Sequence, residues 1–211
     1  MDGQDEDVRL MLAFCAGDDA SFDALFERWS VRLLRYLERM VREAAVAEEL
    51  VQEAFLRVYR ARARYSADAR FSTWLYRIAT NLAFNELRRP RRRSPHRSAE
   101  DEEAPELVAE ASATDDVVHA RRLGASLEAE LAALPERQRA ALVLSAVDGL
   151  SYAEVAQALD VTEKAVKALV HRARSTLADR MRGQRGDEVM PAAERDAART
   201  GRVVQGTVDG S

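Results

Sequence analysis

The sequence predicts an all-α fold of two small helical domains joined by a flexible acidic linker. Three observations carry this. Long runs are rich in Ala, Leu, Glu and Arg while β-branched runs are nearly absent, which favours helix over strand. Apolar residues recur at spacings of three and four in several separate stretches, each an amphipathic face that cannot be buried alone. Between two groups of such stretches the periodicity fails and Pro, Ser, Ala and Glu take over.

The elements follow in order. Val8, Leu12 and Cys15 mark a weak first stripe. Phe22, Leu25, Phe26, Trp29, Leu33, Leu37 and Met40 mark a long helix over 20–41. Leu50, Val51, Ala54, Phe55 and Val58 mark a third over 46–60, and Phe71, Leu75, Ile78, Ala79 and Leu82 a fourth over 71–87. Together they predict a bundle in residues 1–90, closed by Pro90. Residues 91–116 read as the linker. A second domain is predicted over 117–182, with Pro135 as a first helical position and Leu142, Val143 and Val147 continuing an apolar face. Gly149 supplies a left-handed stop, and Ser151 with Glu154 forms a capping box that opens a short helix to Leu159. Asp160-Val161 turns the chain, and Thr162 caps a last helix whose inner face is Val166, Leu169, Val170, Ala173 and Leu177. Residues 183–211 lack a period and read as a disordered tail.

Hydrophobic residues make up 47% of the 211, enough for a packed core. Cys15 is the single cysteine, so no internal disulfide forms, which fits a reducing cytoplasm. The acidic start has no apolar leader run, and no stretch reaches the roughly 18–20 apolar residues of a membrane span, so stable membrane insertion is not expected. Chemistry is poorly served. His96, His119 and His171 lack ligand spacing, one cysteine makes no zinc set, and no Gly-rich phosphate loop or nucleophile elbow is present. The chain reads as a non-enzyme without cofactor or metal.

Charge is segregated. Residues 1–19 sum to −5, residues 61–97 to +8, residues 99–119 to −8 and residues 162–182 to +4, within a net charge of −4. Two basic blocks divided by an acidic one suggest two surfaces for a polyanion, although solvated helix faces would give the same tally.

Three constellations sharpen this. Residues 151–178 have the layout of a helix-turn-helix: a short capped helix, a tight turn and a longer helix with a basic outer face. Lys164, Lys167, Ala168 and His171 point outward on the helical wheel, with Arg172 and Arg174 beside them, suited to base edges and phosphates. The second runs from Tyr65 to Arg93, with Arg62 and Arg64 just before it. Tyr65, Phe71, Trp74 and Tyr76 interleave with Arg62, Arg64, Arg70 and Arg77, a pattern that stacks unpaired bases along a bound backbone. On these residues alone the aromatics fit a core role equally well. Arg77, Asn81, Asn85 and Arg88 share the polar side of the following helix. The third is Ala47 to Val58, where Glu49, Gln52 and Glu53 lie outside the apolar stripe and are free to meet a partner helix.

These pieces, in this order, resemble an extracytoplasmic-function (ECF) RNA polymerase sigma factor. The resemblance rests on Arg70-Phe71-Ser72-Thr73-Trp74-Leu75-Tyr76-Arg77-Ile78-Ala79-Thr80-Asn81, on Glu49-Leu50-Val51-Gln52-Glu53-Ala54-Phe55, and on Leu134-Pro135-Glu136-Arg137-Gln138-Arg139. Gly149-Leu150-Ser151-Tyr152-Ala153-Glu154-Val155-Ala156, Val166-Lys167 and His171-Arg172-Ala173-Arg174 complete it. It covers about residues 8–89 and 117–182.

The resemblance implies a sigma factor that binds core RNA polymerase and directs promoter recognition, DNA melting and transcription initiation. Glu49, Gln52 and Glu53 then face the clamp helices of the largest subunit, and the second domain faces the flap of the second-largest. Arg64, Tyr65, Arg70, Phe71, Ser72, Thr73, Trp74, Arg77, Asn81, Asn85 and Arg88 form the minus-ten and melting set, on duplex and non-template strand; capturing a flipped base there must offset a few kcal/mol of lost stacking and pairing. Ser151, Thr162, Lys164, Lys167, Ala168, His171, Arg172 and Arg174 form the minus-thirty-five set. The linker is expected to thread toward the polymerase RNA path, and an anti-sigma factor is an expected further partner. Asp160 stands where the family often has Gly, and Ala168 where it often has a polar residue. The rival reading is a conventional helix-turn-helix regulator that binds duplex DNA without polymerase. It accounts for residues 151–178 but not for the aromatic-basic segment.

Overall fold

The structure, a computed structural model, describes residues 2–89 and 127–189, with side-chain surroundings for residues 6–89 and 127–182. The described residues are helical and contain no strand. The expected linker at 91–116 and residues 190–211 of the expected tail lie outside them.

Four helices build the first unit: α1 (Asp2–Cys15), α2 (Asp19–Val41), α3 (Ala44–Arg60) and α4 (Phe71–Arg88), with one 3₁₀ turn at Arg62–Arg64. Helix α2 is the centre: α1, α3 and α4 all pack against it. Its buried stripe, Leu25, Trp29, Leu33, Tyr36, Leu37 and Met40, has the spacing that the sequence shows. The helix ends at Arg42, which takes the left-handed conformation usual for Gly and returns its N–H to the Glu38 carbonyl. Deep between α2 and α4 the Tyr36 hydroxyl meets the Thr80 hydroxyl at 2.7 Å, so neither buried polar group is left unpaired. Helix α1 corrects its expected stripe. Met11 and Phe14 are fully buried, whereas Leu12 is 46% exposed. The three- and four-residue spacings from Val8 allow either face, and ring contacts of Phe14 with Phe22 and Tyr59 select this one.

The second unit consists of α5 (described over 127–132), α6 (Glu136–Ala146), α7 (Tyr152–Leu159) and α8 (Glu163–Val189). Pro135 is the N-cap of α6 rather than its first helical residue, with ψ at 140°. The capping box at Ser151 and Glu154 is present, Asp160 occupies the left-handed region at φ 53°, and the Ala165 N–H donates to the Thr162 hydroxyl at 3.2 Å. Helix α8 continues six residues past Gly183, where the sequence pattern predicts a disordered tail. Extending an existing helix adds a hydrogen bond for each residue ordered, so it outlasts the apolar period that nucleated it.

The two units pack on each other, α7 against α4 and α6 against α2. One buried side chain organises this contact. Arg139 of α6 is 7% exposed and donates to the Met40 carbonyl (2.6 Å), the Leu134 carbonyl (3.1 Å) and the Ala132 carbonyl. Met40 lies in the last turn of α2 and Ala132 in the last helical turn of α5, where carbonyls lack intrahelical partners. A single guanidinium therefore caps two helix C-termini and complements both dipoles. Burial, with Arg42 nearby, lowers its pKa, while Glu136 acts in the opposite direction. Arg88 reaches Glu136 at 3.2 Å, and Arg70 pairs with Glu154 across the same seam.

Candidate nucleic-acid interface

The turn between α3 and α4 is held from below. Arg62 lies over the rings of Phe14 (5.6 Å) and Tyr59 (5.8 Å) and faces Asp19 at 3.7 Å. This arginine braces the turn while its side chain stays 42% exposed. Above it, rings follow one another: Tyr65 to Trp74 at 5.1 Å, Trp74 to Phe71 at 6.0 Å, Phe71 to Trp29 at 6.3 Å, Trp29 to Tyr76 at 6.1 Å, and Tyr76 to Tyr36 at 5.3 Å. Phe71, Ser72 and Thr73 are buried and Trp74 is half-buried. The aromatic string is therefore largely core, and its outer end, Tyr65 and Trp74, edges the turn. Two polar atoms there, the Tyr65 hydroxyl and Thr73 Oγ1, are buried without a hydrogen-bond partner among the described residues. Such groups cost stability and mark a place where a ligand can supply the missing bond. Burial, then Cys15 and Asp68, push the Tyr65 phenol up, so it remains a donor.

Beyond the turn, Arg77, Asn81, Asn85 and Arg88 are exposed along one side of α4. Arg64 is exposed, and Arg70 is partly exposed in its pair with Glu154. The outer face of α8 presents Lys164, Lys167, His171, Arg172 and Arg174 to solvent, while Ala168 is half-buried. Arg172 donates Nε to the Ala168 carbonyl at 3.2 Å, which holds its guanidinium against the helix. Ser151 and Thr162 are exposed but engaged as helix caps. On α3, Glu49 and Gln52 are exposed, and Glu53 is ion-paired with Arg57 at 2.8 Å. Sequence reasoning passed over Leu56, which is 41% exposed one turn beyond Gln52. Its position off the Leu50, Ala54, Val58 stripe was the signal.

Asp148 sits where the second unit meets the first, on the wall of a cavity that Tyr76 also lines. Burial pushes its carboxyl up, against the pull of Tyr76, Arg39 and Arg32. The folded protein therefore retains a proton that the unfolded chain loses above pH 3.8, and this group's contribution to stability falls as pH rises through its folded pKa. Glu154 behaves oppositely. Its bonds to Ser151 and Arg70 outweigh burial and lower its pKa, so its contribution is present above pH 4.5 and is lost as pH falls through the folded value. Asp148→Asn removes the first effect alone. The variant's melting temperature should exceed that of the parent most at neutral pH, and the gap should shrink on acidification toward pH 3.8. A gap that is flat with pH would refute this assignment.

Known proteins place this geometry. The Sigma-70 region 2 family matches residues 25–93 and the Sigma-70 region 4 family matches residues 124–177. The chain is 33% identical over 180 residues to the RNA polymerase sigma-H factor of Pseudomonas aeruginosa, covering 82% of this chain and 93% of that one. It is 34% identical over 166 residues to the ECF RNA polymerase sigma-E factor of Escherichia coli K12, covering 76% and 86%. Its fold is like that of CnrH, solved in complex with the cytosolic domain of CnrY, with a TM-score of 0.65 at 24% identity over 84% of this chain and 98% of that one. The sigma factor RpoE of Bartonella quintana, solved with the anti-sigma factor NepR, gives a TM-score of 0.55 at 19% identity, covering 76% and 96%. With both regions matched in order and relatives above 30% identity spanned almost end to end, the chain belongs to the ECF RNA polymerase sigma-factor family.

Proposed function

We infer that this protein binds core RNA polymerase and directs it to promoters, as a non-catalytic initiation factor working in the compartment that holds the polymerase. The observation that carries the reading is the pairing on one chain of two exposed base-reading faces. Arg77, Asn81, Asn85 and Arg88 line one on α4, and Lys164, Lys167, His171 and Arg174 line the other on α8. We assign minus-ten reading to the first and minus-thirty-five reading to the second. The rim of Tyr65 and Trp74, with its unpaired Tyr65 and Thr73 hydroxyls, suits a flipped base of the non-template strand. Glu49 and Gln52, with Leu56 beside them, suit the polymerase clamp. Phe71 and Ser72, both buried, act from the interior by supporting this rim. No helix among the described residues is long and apolar enough to cross a membrane.

Run-off transcription by purified core polymerase on sheared genomic DNA tests this. New start sites that depend on the protein are the expected result. No core binding, together with tight unaided duplex binding, would favour the conventional regulator. On a promoter so found, Lys167→Ala should weaken holoenzyme binding by about 1–3 kcal/mol if Lys167 contacts a base, or by less and with a shallower salt slope if it meets phosphate. No change in either quantity would remove it from the interface.

A further inference from the structure

We propose that the cavity between α2 and the α6–α7 turn is a binding site for a run of linked phosphate groups. The cavity measures about 740 Å³. Arg28, Arg32, Arg35 and Arg39 line it from α2, Arg70 stands at the start of α4, and Asp148 lies on the opposite wall. The four α2 arginines follow the three- and four-residue spacing that puts side chains on one helical face.

Two of the five cations are already matched. Arg28 pairs with Asp7 at 2.9 Å, and Arg70 pairs with Glu154. Arg32, Arg35 and Arg39 form no carboxylate ion pair among the described residues. Arg32 lies over the Trp29 ring at 5.5 Å, and Arg39 donates to the Arg35 carbonyl at 3.2 Å. Like charges three and four residues apart destabilise a helix. Three such cations facing one concavity are therefore a cost that an anion would relieve. Asp148 on the facing wall is half-buried, and burial pushes its carboxyl up.

The ligand class follows from shape. A guanidinium is a planar fork of donors that matches the oxygens of phosphate two at a time. From Arg32 to Arg39 the helix rises about 10 Å, at about 1.5 Å per residue, which exceeds one phosphate and fits several joined in line. The walls come from both units of the fold, so the ligand recognises the packed arrangement and stabilises it by mass action. Linked phosphates have two sources, a free oligophosphate or a nucleic-acid backbone. Arg32, Arg35 and Arg39, on which the proposal rests, belong to none of the assigned promoter contacts, whereas Arg70 at the cavity's edge also belongs to the minus-ten set.

Calorimetry on the full chain at constant ionic strength tests it, with inorganic triphosphate, orthophosphate and a short single-stranded oligodeoxynucleotide as probes. Triphosphate should bind at one site, with orthophosphate about tenfold weaker or worse because it engages fewer forks. The double variant Arg35→Gln with Arg39→Gln should lose about tenfold or more in triphosphate affinity while keeping wild-type helical circular dichroism. Asp148→Asn should tighten binding, a gain that misfolding does not produce. Equal affinity for the two inorganic anions, or binding indifferent to the double variant, would overturn the proposal. Loss of triphosphate binding with oligonucleotide binding intact assigns the site to free oligophosphate. Parallel loss of both, with each probe displacing the other, assigns it to a nucleic-acid backbone.

Discussion

Arg139→Ala should lower the stability of the protein by about 3–5 kcal/mol, the size expected when several buried carbonyls lose a charged donor at about 1–3 kcal/mol each. The side chain is 7% exposed and serves three carbonyls, of Met40, Ala132 and Leu134. Removing it leaves those acceptors buried with fewer partners and opens a void at the junction of α2, α5 and α6. Arg139→Lys keeps the charge, but its three donors radiate from one nitrogen where a planar fork spans three acceptors, so it should recover only part of the loss. Chemical denaturation monitored by helical circular dichroism measures both. A loss below about 1 kcal/mol for the Ala variant, typical of a surface site, would show that the three contacts do not hold the junction.

Trp74→Ala should have the second largest effect, and on two quantities at once. The ring is half-buried between Tyr65 and Phe71, with centroids at 5.1 and 6.0 Å. Its loss should cost about 2–3 kcal/mol, below the roughly 3–5 kcal/mol of a fully buried ring because part of its surface is already in water. It also strips one ring from the rim beside the unpaired Tyr65 and Thr73 hydroxyls. Open-complex yield, measured by permanganate reactivity at a temperature where the variant is folded, should therefore fall as well. Trp74→Phe should restore most of the stability through its ring contacts, with less recovery of opening. An unchanged melting temperature together with an unchanged open-complex yield would refute both roles.

Particular residues show how far the sequence could be read. The helix-turn-helix was legible almost residue by residue, because its signals are local. Ser151 and Glu154 cap within four residues, Asp160 tolerates the left-handed turn, and Val166, Val170 and Ala173 keep one period. The polar face of α4 was legible for the same reason. The aromatic segment was not, since Tyr65, Phe71, Trp74 and Tyr76 fit core and surface alike until Trp29 and Tyr36 of α2 are brought against them. Leu12 failed likewise, because the choice between two adjacent helix faces lies with Phe22 and Tyr59, not with α1.

What the sequence determined by itself was the set of helices, their caps and turns, and the two polar faces suited to nucleic acid. Each depends on periodicity and hydrogen bonds within a few residues. What only the tertiary structure decided was everything that joins residues distant along the chain. It set Arg139 of α6 on the carbonyl end of α2, 99 positions away, and Arg70 against Glu154, 84 positions away. It also gathered the α2 arginines around a cavity closed by Asp148. Such contacts form only when loop-closure entropy is offset by the burial of both partners' surfaces, a balance that no local pattern records.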